Sequence, residues 1–429
     1  MGKLKLVIVI STIFMLVACS DFFNSEEKKA GSSQNQIQSG FKPFPEGYNP
    51  NQGPFSQEKL IANIGLNVIV PGTQALRLQA EILNLELENW LSRDNRKEDQ
   101  KKVIHTQWKK VMTQFHFLEG IPLGPLSDKQ LGLSEQIYSW PYSNLCGVDH
   151  EVLKFSVSNQ ASVSSLFTLK GLSVLEYLLF DETYTTTCNP QSARNKPVVQ
   201  WTLKNQTEKE FDRMFYASKL TQDLIEKTKQ LESFWNPNTN NFTMRLLDGS
   251  LYPEGIKEAI NAMSDSLFSV EKLKDLKMAK PLGLHKDCLS DFKKCPESVE
   301  HSWSQISYDS IRAQAEGFKA AFNGEGRNIN GFGFDDFLVS IGRQDVSTRL
   351  NENIDQFLRN LGELEVGLTF QQQIEAMDIL DCSNSTIQNR IVPVCSLFQD
   401  LRVITTQMKT EFLIALSLQA PPTYQGDND

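Results

Sequence analysis

Apolar residues recur along most of this chain at steps of three and four, the spacing that lines one face of an α-helix. Residues 57–92 carry that pattern, interrupted at Pro71, which has no N–H for the helical ladder and predicts a kink or restart. Beyond the break Ala75, Leu78, Ile82 and Leu85 recur at helical spacing, and Leu76, Leu83, Leu87 and Trp90 widen the same face. A second helix is predicted over 98–118, with Val103, Trp108, Val111, Met112, Phe115 and Leu118 as its apolar positions. A third covers 161–181. A fourth, over 207–235, places Phe211, Met214, Phe215, Leu220, Leu224, Leu231 and Phe234 on one broad face. Four long amphipathic helices imply one bundle. The turn-rich stretch 235–241 marks a boundary, after which helices recur at 253–278, 304–323, 345–361, 368–379 and 392–418. Strand-like alternation is nearly absent. The expected fold is therefore all-α, with two helical bundle-like domains over 57–238 and 239–429.

The first 56 residues follow other rules. Lys3 and Lys5 precede an apolar run from Leu6 to Ala18 that falls short of the roughly 20 residues needed to span a bilayer. Leu16-Val17-Ala18-Cys19 has the form of a lipobox, so 1–18 is expected to be a signal peptide and Cys19 the lipidated residue. Residues 19–56, rich in Ser, Asn, Gln, Gly and Pro, are expected to be a flexible tether. The membrane is then a partner through Cys19, and Ser20 rather than an aspartate after it favours the outer over the inner membrane. A net charge of −9 without a basic block speaks against nucleic acid. Of seven cysteines, six remain after lipidation: Cys146, Cys188, Cys288, Cys295, Cys382 and Cys395. An even set in an exported chain predicts disulfides, with nearest-neighbour pairing one of fifteen connectivities.

The segment from Gly171 to Phe180 is apolar almost all the way round, the mark of a buried central helix, yet carries Glu176 in its middle. A buried carboxylate must find donors, bind a cation or stay protonated. Ser173 lies one turn earlier on the same side. A structural glutamate satisfied by neighbouring donors and a functional one are equally compatible with this pattern.

Here the chain resembles the imelysin-like proteins of the bacterial cell envelope. Their signature Gly-x-His-x-x-Glu falls on Gly171, Ser173 and Glu176, running into Tyr177-Leu178-Leu179. Further pieces match in order: Pro71, Trp108 before Gly124-Pro125, Trp140-Pro141 with Asp149, Pro281-Leu282-Gly283, Glu300-His301-Ser302-Trp303-Ser304, and Glu316-Gly317-Phe318. The resemblance implies a two-domain all-helical fold and either iron-related binding or, from the founding member, peptidase activity. In the family the signature His and Glu are the proposed metal ligands; this chain has Ser173 in place of the histidine, and a neutral hydroxyl is a much poorer transition-metal ligand than imidazole. The expected ligand-binding set is Ser173, Glu176, Asp149, Trp140, Glu300, Ser302 and Ser304, with Glu176 and Glu300 as metal ligands. His116 and Glu119 form a second His-x-x-Glu, short enough to arise by chance and read as a surface or packing histidine.

No His-Glu-x-x-His, Gly-x-Ser-x-Gly or phosphate-loop motif occurs, so the sequence leans away from an enzyme. His150 beside Asp149 and His301 beside Glu300 would act as acid or base only on converging in a cleft. The cofactor is not identified by sequence; iron or another cation is the candidate. The leading expectation is a lipid-anchored binder of a metal ion, iron complex or small ligand between the helical halves. A scaffold with a decayed site that meets an envelope protein, and a metal-dependent peptidase, are the alternatives.

Overall fold

Ser56 opens the first long helix by accepting the N–H of Lys59, and the chain then stays helical through α1 (Gln57–Asn63), a π-wound stretch Ile64–Ile69 and α2 (Val70–Leu91). The wide π turn immediately precedes Pro71, whose missing donor the ordinary ladder cannot accommodate, so the break expected at that proline is absorbed as a change of winding. This computed structural model describes residues 44–45, 47–93, 97–158, 161–189, 191–192, 199–289, 294–326 and 330–419. Residues 1–18, expected to be a signal peptide, and Cys19 lie outside the described residues.

The remaining principal helices are α3 (Glu98–Glu119), α4 (Leu145–Val157), α5 (Leu172–Phe180), α6 (Gln206–Trp235), α7 (Ile256–Leu267), α8 (Ser307–Asn323), α9 (Gln344–Leu364) and α10 (Pro393–Gln407). No strand occurs among the described residues. The described residues of 49–236 and 242–419 pack as one body, in which α2 lies between α3 and α6, α8 crosses α3, and α9 pairs with α10. Phe44 and Tyr48, whose rings stack at 4.9 Å, belong with Pro237–Asn241 to a second, small unit.

Where the pattern and the packing differ, helix phase explains it. The stripe α2 buries is Leu76, Ala80, Leu83, Leu87 and Trp90, stepping by four and three, while Leu78 and Leu85 are 50% and 53% exposed. Two residues along a helix is a turn of about 200°, so Leu78 cannot share a seam with Leu76. Val103 is likewise exposed and Ile104 takes its place inside. The helix expected over 161–181 is only α5, preceded by a 3-10 turn Phe167–Leu169. Gly171 stops it from starting earlier: its φ of +86° favours glycine, and a Cβ there would lie 2.8 Å from the carbonyl oxygen of Ile137. Helix α4 was not expected; its signal is the Asn144 cap on the N–H of Gly147 followed by buried Val148, Val152 and Phe155.

The tether is also shorter than its composition suggests. Asn51 donates to the Asn63 side chain, Lys59 binds the carbonyls of Gln52 and Pro54, and the Phe55 ring packs on Phe332 and Phe337, so residues 49–56 belong to the folded body. The six cysteines form Cys146–Cys188, Cys288–Cys295 and Cys382–Cys395, the nearest-neighbour pairing.

One crossing bears directly on the site. Helices α3 and α8 approach backbone to backbone: a Cβ on Gly317 would sit 1.9 Å from the Phe117 carbonyl oxygen, and one on Gly120 2.2 Å from that of Gln314. Because Phe117 adjoins His116, Gly317→Ala must push the two helices apart, at a cost of about 1–3 kcal/mol for overpacking. Urea denaturation should show an earlier midpoint with unchanged slope; an unshifted midpoint would mean the helices do not meet this closely.

Candidate metal centre

Helix α3 ends in His116-Phe117-Leu118-Glu119, and three-residue spacing puts the imidazole and the carboxylate on one helix face. Both are buried, and His116 Nδ1 lies 2.9 Å from Glu119 Oε2. The other ring nitrogen, Nε2, points at Nε2 of His301, 2.8 Å away. On the far side of that second ring, Nδ1 of His301 lies 2.8 Å from Oε2 of Glu176 on α5. The line Glu119, His116, His301, Glu176 thus joins three distant stretches of sequence inside the core.

His301 sits in the loop that leads into α8, with φ of +64°, a left-handed conformation that non-glycine residues adopt at a cost of about 1–3 kcal/mol. Its ring is fixed by aromatic neighbours on three sides: Trp108 edge-on at 5.7 Å, His116 edge-on at 5.1 Å and Tyr138 stacked at 5.9 Å between centroids. Next to it in the chain, Glu300 accepts from the Tyr138 hydroxyl at 2.7 Å and from the Ser310 hydroxyl at 2.6 Å. The second oxygen of Glu176 accepts from the backbone N–H of Ser304 at 3.0 Å and its hydroxyl at 2.8 Å. Lys277 reaches in from the π-wound stretch Leu273–Ala279, with Nζ 2.6 Å from Glu119 and 3.2 Å from Glu300, and Lys272 binds the outer oxygen of Glu119 at 2.7 Å.

These contacts set the charges. Burial alone would raise Glu119, but Lys272 and Lys277 hold it well below the usual carboxylate range. Burial acts the same way on Glu300 and is overcome by Lys277, leaving it at about 2. His116 is pushed down to about 4 by burial and by Lys277, so its ring is neutral. Burial would also lower His301, but Glu176 and Glu300 beside it raise it above its ordinary value. The proton positions follow by assignment. If His116 Nδ1 donates to Glu119, its Nε2 must accept, so His301 Nε2–H donates to it while His301 Nδ1–H donates to Glu176. His301 is then an imidazolium, and three carboxylates face three cations: Lys272, Lys277 and His301.

The sequence expectations fare unevenly. Glu176, Glu300 and Ser304 do meet in this cluster. Ser302 is half-buried beside it, its carbonyl taken by the Gln305 amide. Ser173 is withdrawn into a hydroxyl trio with Ser139 and Ser143, 2.7 Å from each. Asp149 is occupied elsewhere, accepting from Tyr177, Thr186 and Thr187 and so tying α4 to the loop after α5. Trp140, before a cis proline, packs against the apolar core. His116 is fully buried within the cluster, which corrects the surface alternative of its reading. His301 and Lys277 were not expected as site residues. The only sequence signals were the His-x-x-Glu spacing and the adjacency of His301 to Glu300; a lysine on an amphipathic stretch carries none.

The geometry also limits the chemistry. Ser304 and His301 both bond to Glu176 rather than to each other, so the serine-to-imidazole link of a nucleophilic triad is missing. What remains is a transition-metal donor set: Nε2 of His116, Nε2 of His301 and a Glu300 oxygen, all within 4.8 Å of one another.

Comparison with known proteins bears on the same region. The sequence profile of the Imelysin family, Peptidase_M75, matches residues 87–380. No curated protein matches the chain in sequence. Among solved structures, an imelysin-like protein from Psychrobacter arcticum 273-4 aligns with a TM-score of 0.60 at 14% identity, covering 85% of this chain and 96% of that one. A protein described as an iron-regulated protein A precursor, from Parabacteroides distasonis ATCC 8503, aligns with a TM-score of 0.57 at 14% identity, covering 83% and 97%.

Proposed function

This chain belongs to the imelysin family, and from that premise we propose that it binds a divalent transition-metal ion through His116, His301 and Glu300. The observation that carries this reading is the pair of imidazole Nε2 atoms 2.8 Å apart, each ring backed at Nδ1 by a carboxylate. A carboxylate behind each ligating histidine fixes its tautomer and strengthens its basicity, and is the usual second layer of a metal site. The two nitrogens need to part by only about half an ångström to share one ion at ordinary metal–nitrogen bond lengths. Two imidazoles and a carboxylate suit iron(II) and zinc alike. Glu176, expected from sequence to be a ligand, instead orients His301. The iron-regulated description of one structural relative agrees with a role in iron handling.

Metal uptake on this reading replaces the proton between the two rings. In the metal-free protein that proton belongs to His301, whose affinity for it is raised above the ordinary histidine value. Affinity should therefore climb about tenfold per pH unit below the His301 pKa, where a proton must leave, and level off above it. Calorimetric titration of chelator-treated protein with zinc(II), and with iron(II) under anaerobic conditions, between pH 5.5 and 8.5 tests this. One ion per chain with that slope is expected. A flat profile, or no binding tighter than millimolar, would refute the assignment.

The chain's address completes the proposal: a cell-envelope protein held on the outer membrane by lipid on Cys19. Among the described residues no helix is long and apolar enough to cross a membrane, and the lipobox supplies the anchor instead. Cys19→Ser should move the protein from the membrane to the soluble fraction, and mass spectrometry of the N-terminal peptide should lose its acyl mass. Retention on the membrane without Cys19 would disprove the anchor.

A further inference from the structure

A cleft of about 790 Å³ opens beside the outer end of the buried cluster, where Glu119 and Lys272 form part of its wall. Its size falls in the usual range for small-molecule sites, roughly 300–1,000 Å³. Most of the wall is apolar, with Leu126, Phe242, Leu251 and Tyr252 among the residues facing the space. The charged residues that line the same cleft are Glu119, Asp128, Lys129, Glu135, Arg245, Asp265 and Lys272. Arg245, on the short helix Phe242–Leu247, and Asp265, in the last turn of α7, are both partly buried. They are not ion-paired with each other, and among the described residues neither the guanidinium nor the carboxyl has a hydrogen-bond or salt-bridge partner. This is unusual company for a half-buried pair. The other partly buried arginines among the described residues, Arg77, Arg312, Arg343 and Arg390, are each engaged by a carboxylate.

Leaving a carboxyl and a guanidinium unpaired in a largely apolar recess costs desolvation without compensation. Burial has already pushed Asp265 up to about 6, with no cation beside it to bring it back. Such a pair is satisfied by a guest that carries its own opposite charges. We infer that the cleft binds a small zwitterion with an apolar body, its carboxylate on Arg245, its ammonium on Asp265 and its body against Phe242 and Tyr252. A free α-amino acid and a short apolar peptide both have this chemistry. The cleft does not require the metal, since neither Arg245 nor Asp265 touches the cluster.

The test is calorimetric titration of the full chain, stripped of metal by chelator, at pH 7.5. The probes are the free apolar amino acids, the dipeptides built from them, and L-phenylalanine blocked at either end. Saturable binding of at least one zwitterion is expected, with acetylation of its amine or amidation of its carboxylate each weakening binding at least tenfold. Arg245→Ala should abolish the preference for a free carboxylate, and Asp265→Asn that for a free ammonium, with unchanged helical circular dichroism because neither side chain holds the fold together. Tighter binding of the dipeptides than of the amino acids would assign the peptide as guest, and the reverse the amino acid. No saturable binding up to 10-fold above a probe concentration on the order of 1 mM would overturn the inference. So would blocked probes that bind as well as free ones, or variants that bind like the parent. Because the protein is metal-free throughout, failure here leaves the metal reading untouched.

Discussion

His301→Ala is expected to abolish specific metal binding, a loss well beyond a hundredfold, while Glu176→Gln weakens it by only about 10- to 100-fold. The distinction follows from geometry. His301 offers Nε2 to the site directly, whereas Glu176 touches only Nδ1 of the same ring and acts by holding its orientation and proton. Glutamine retains a hydrogen-bonding oxygen for Ser304 and for His301, so the ring stays in place with a poorer base behind it. Titration of both variants with zinc(II) reads the order. If Glu176→Gln loses as much as His301→Ala, then Glu176 is itself a ligand; if neither loses affinity, the metal lies elsewhere.

Lys277→Met is expected to be the most destabilising single change at the cluster, by about 3–5 kcal/mol, because it removes one partner of a buried ionic group and leaves the others uncompensated. The ammonium is buried, lies 2.6 Å from Glu119 and 3.2 Å from Glu300, and is the charge that both carboxylates share. Methionine fills similar volume, so lost packing contributes little and lost charge dominates. Both carboxylates are held below their ordinary range in the folded protein, so their stabilising contribution is complete above the unfolded carboxylate values and disappears as pH falls through the folded ones. In Lys277→Met that contribution shrinks, and the deficit should be greatest near neutral pH and smallest in acid. A divalent ion replaces the missing positive charge, so zinc(II) should raise the melting temperature of the variant more than that of the parent. Equal melting temperatures for the two metal-free proteins would show that Lys277 does not neutralise the cluster.

Much of the architecture was legible along the chain. The helical repeat, the apolar run around Glu176 and the even cysteine set all report on short-range physics: periodicity and burial of whole faces. Errors arose where two readings of one repeat were possible. Leu76 and Leu78 both fit a helical spacing, and only packing between α3 and α6 selected the first. Gly171 was legible as part of a motif but not as the residue that delays α5, because its cost depends on the Ile137 carbonyl across from it.

The candidate site divides in the same way. A lone acid in a greasy helix demands polar company whatever the fold, so Glu176 could be singled out from its flanks. Its company could not. His301 is 125 residues away and Ser304 is 128, His116 approaches through a ring that faces His301 across 185, and Lys277 joins Glu119 across 158.

Sequence by itself determined that this protein is helical and that a carboxylate must be satisfied in its interior. The tertiary structure alone decided which groups satisfy it and that the imidazoles of His116 and His301 meet beside it. The physical reason is range: helix periodicity and burial preference act between near neighbours, whereas charge compensation in a core is settled only when distant segments share the same few ångströms.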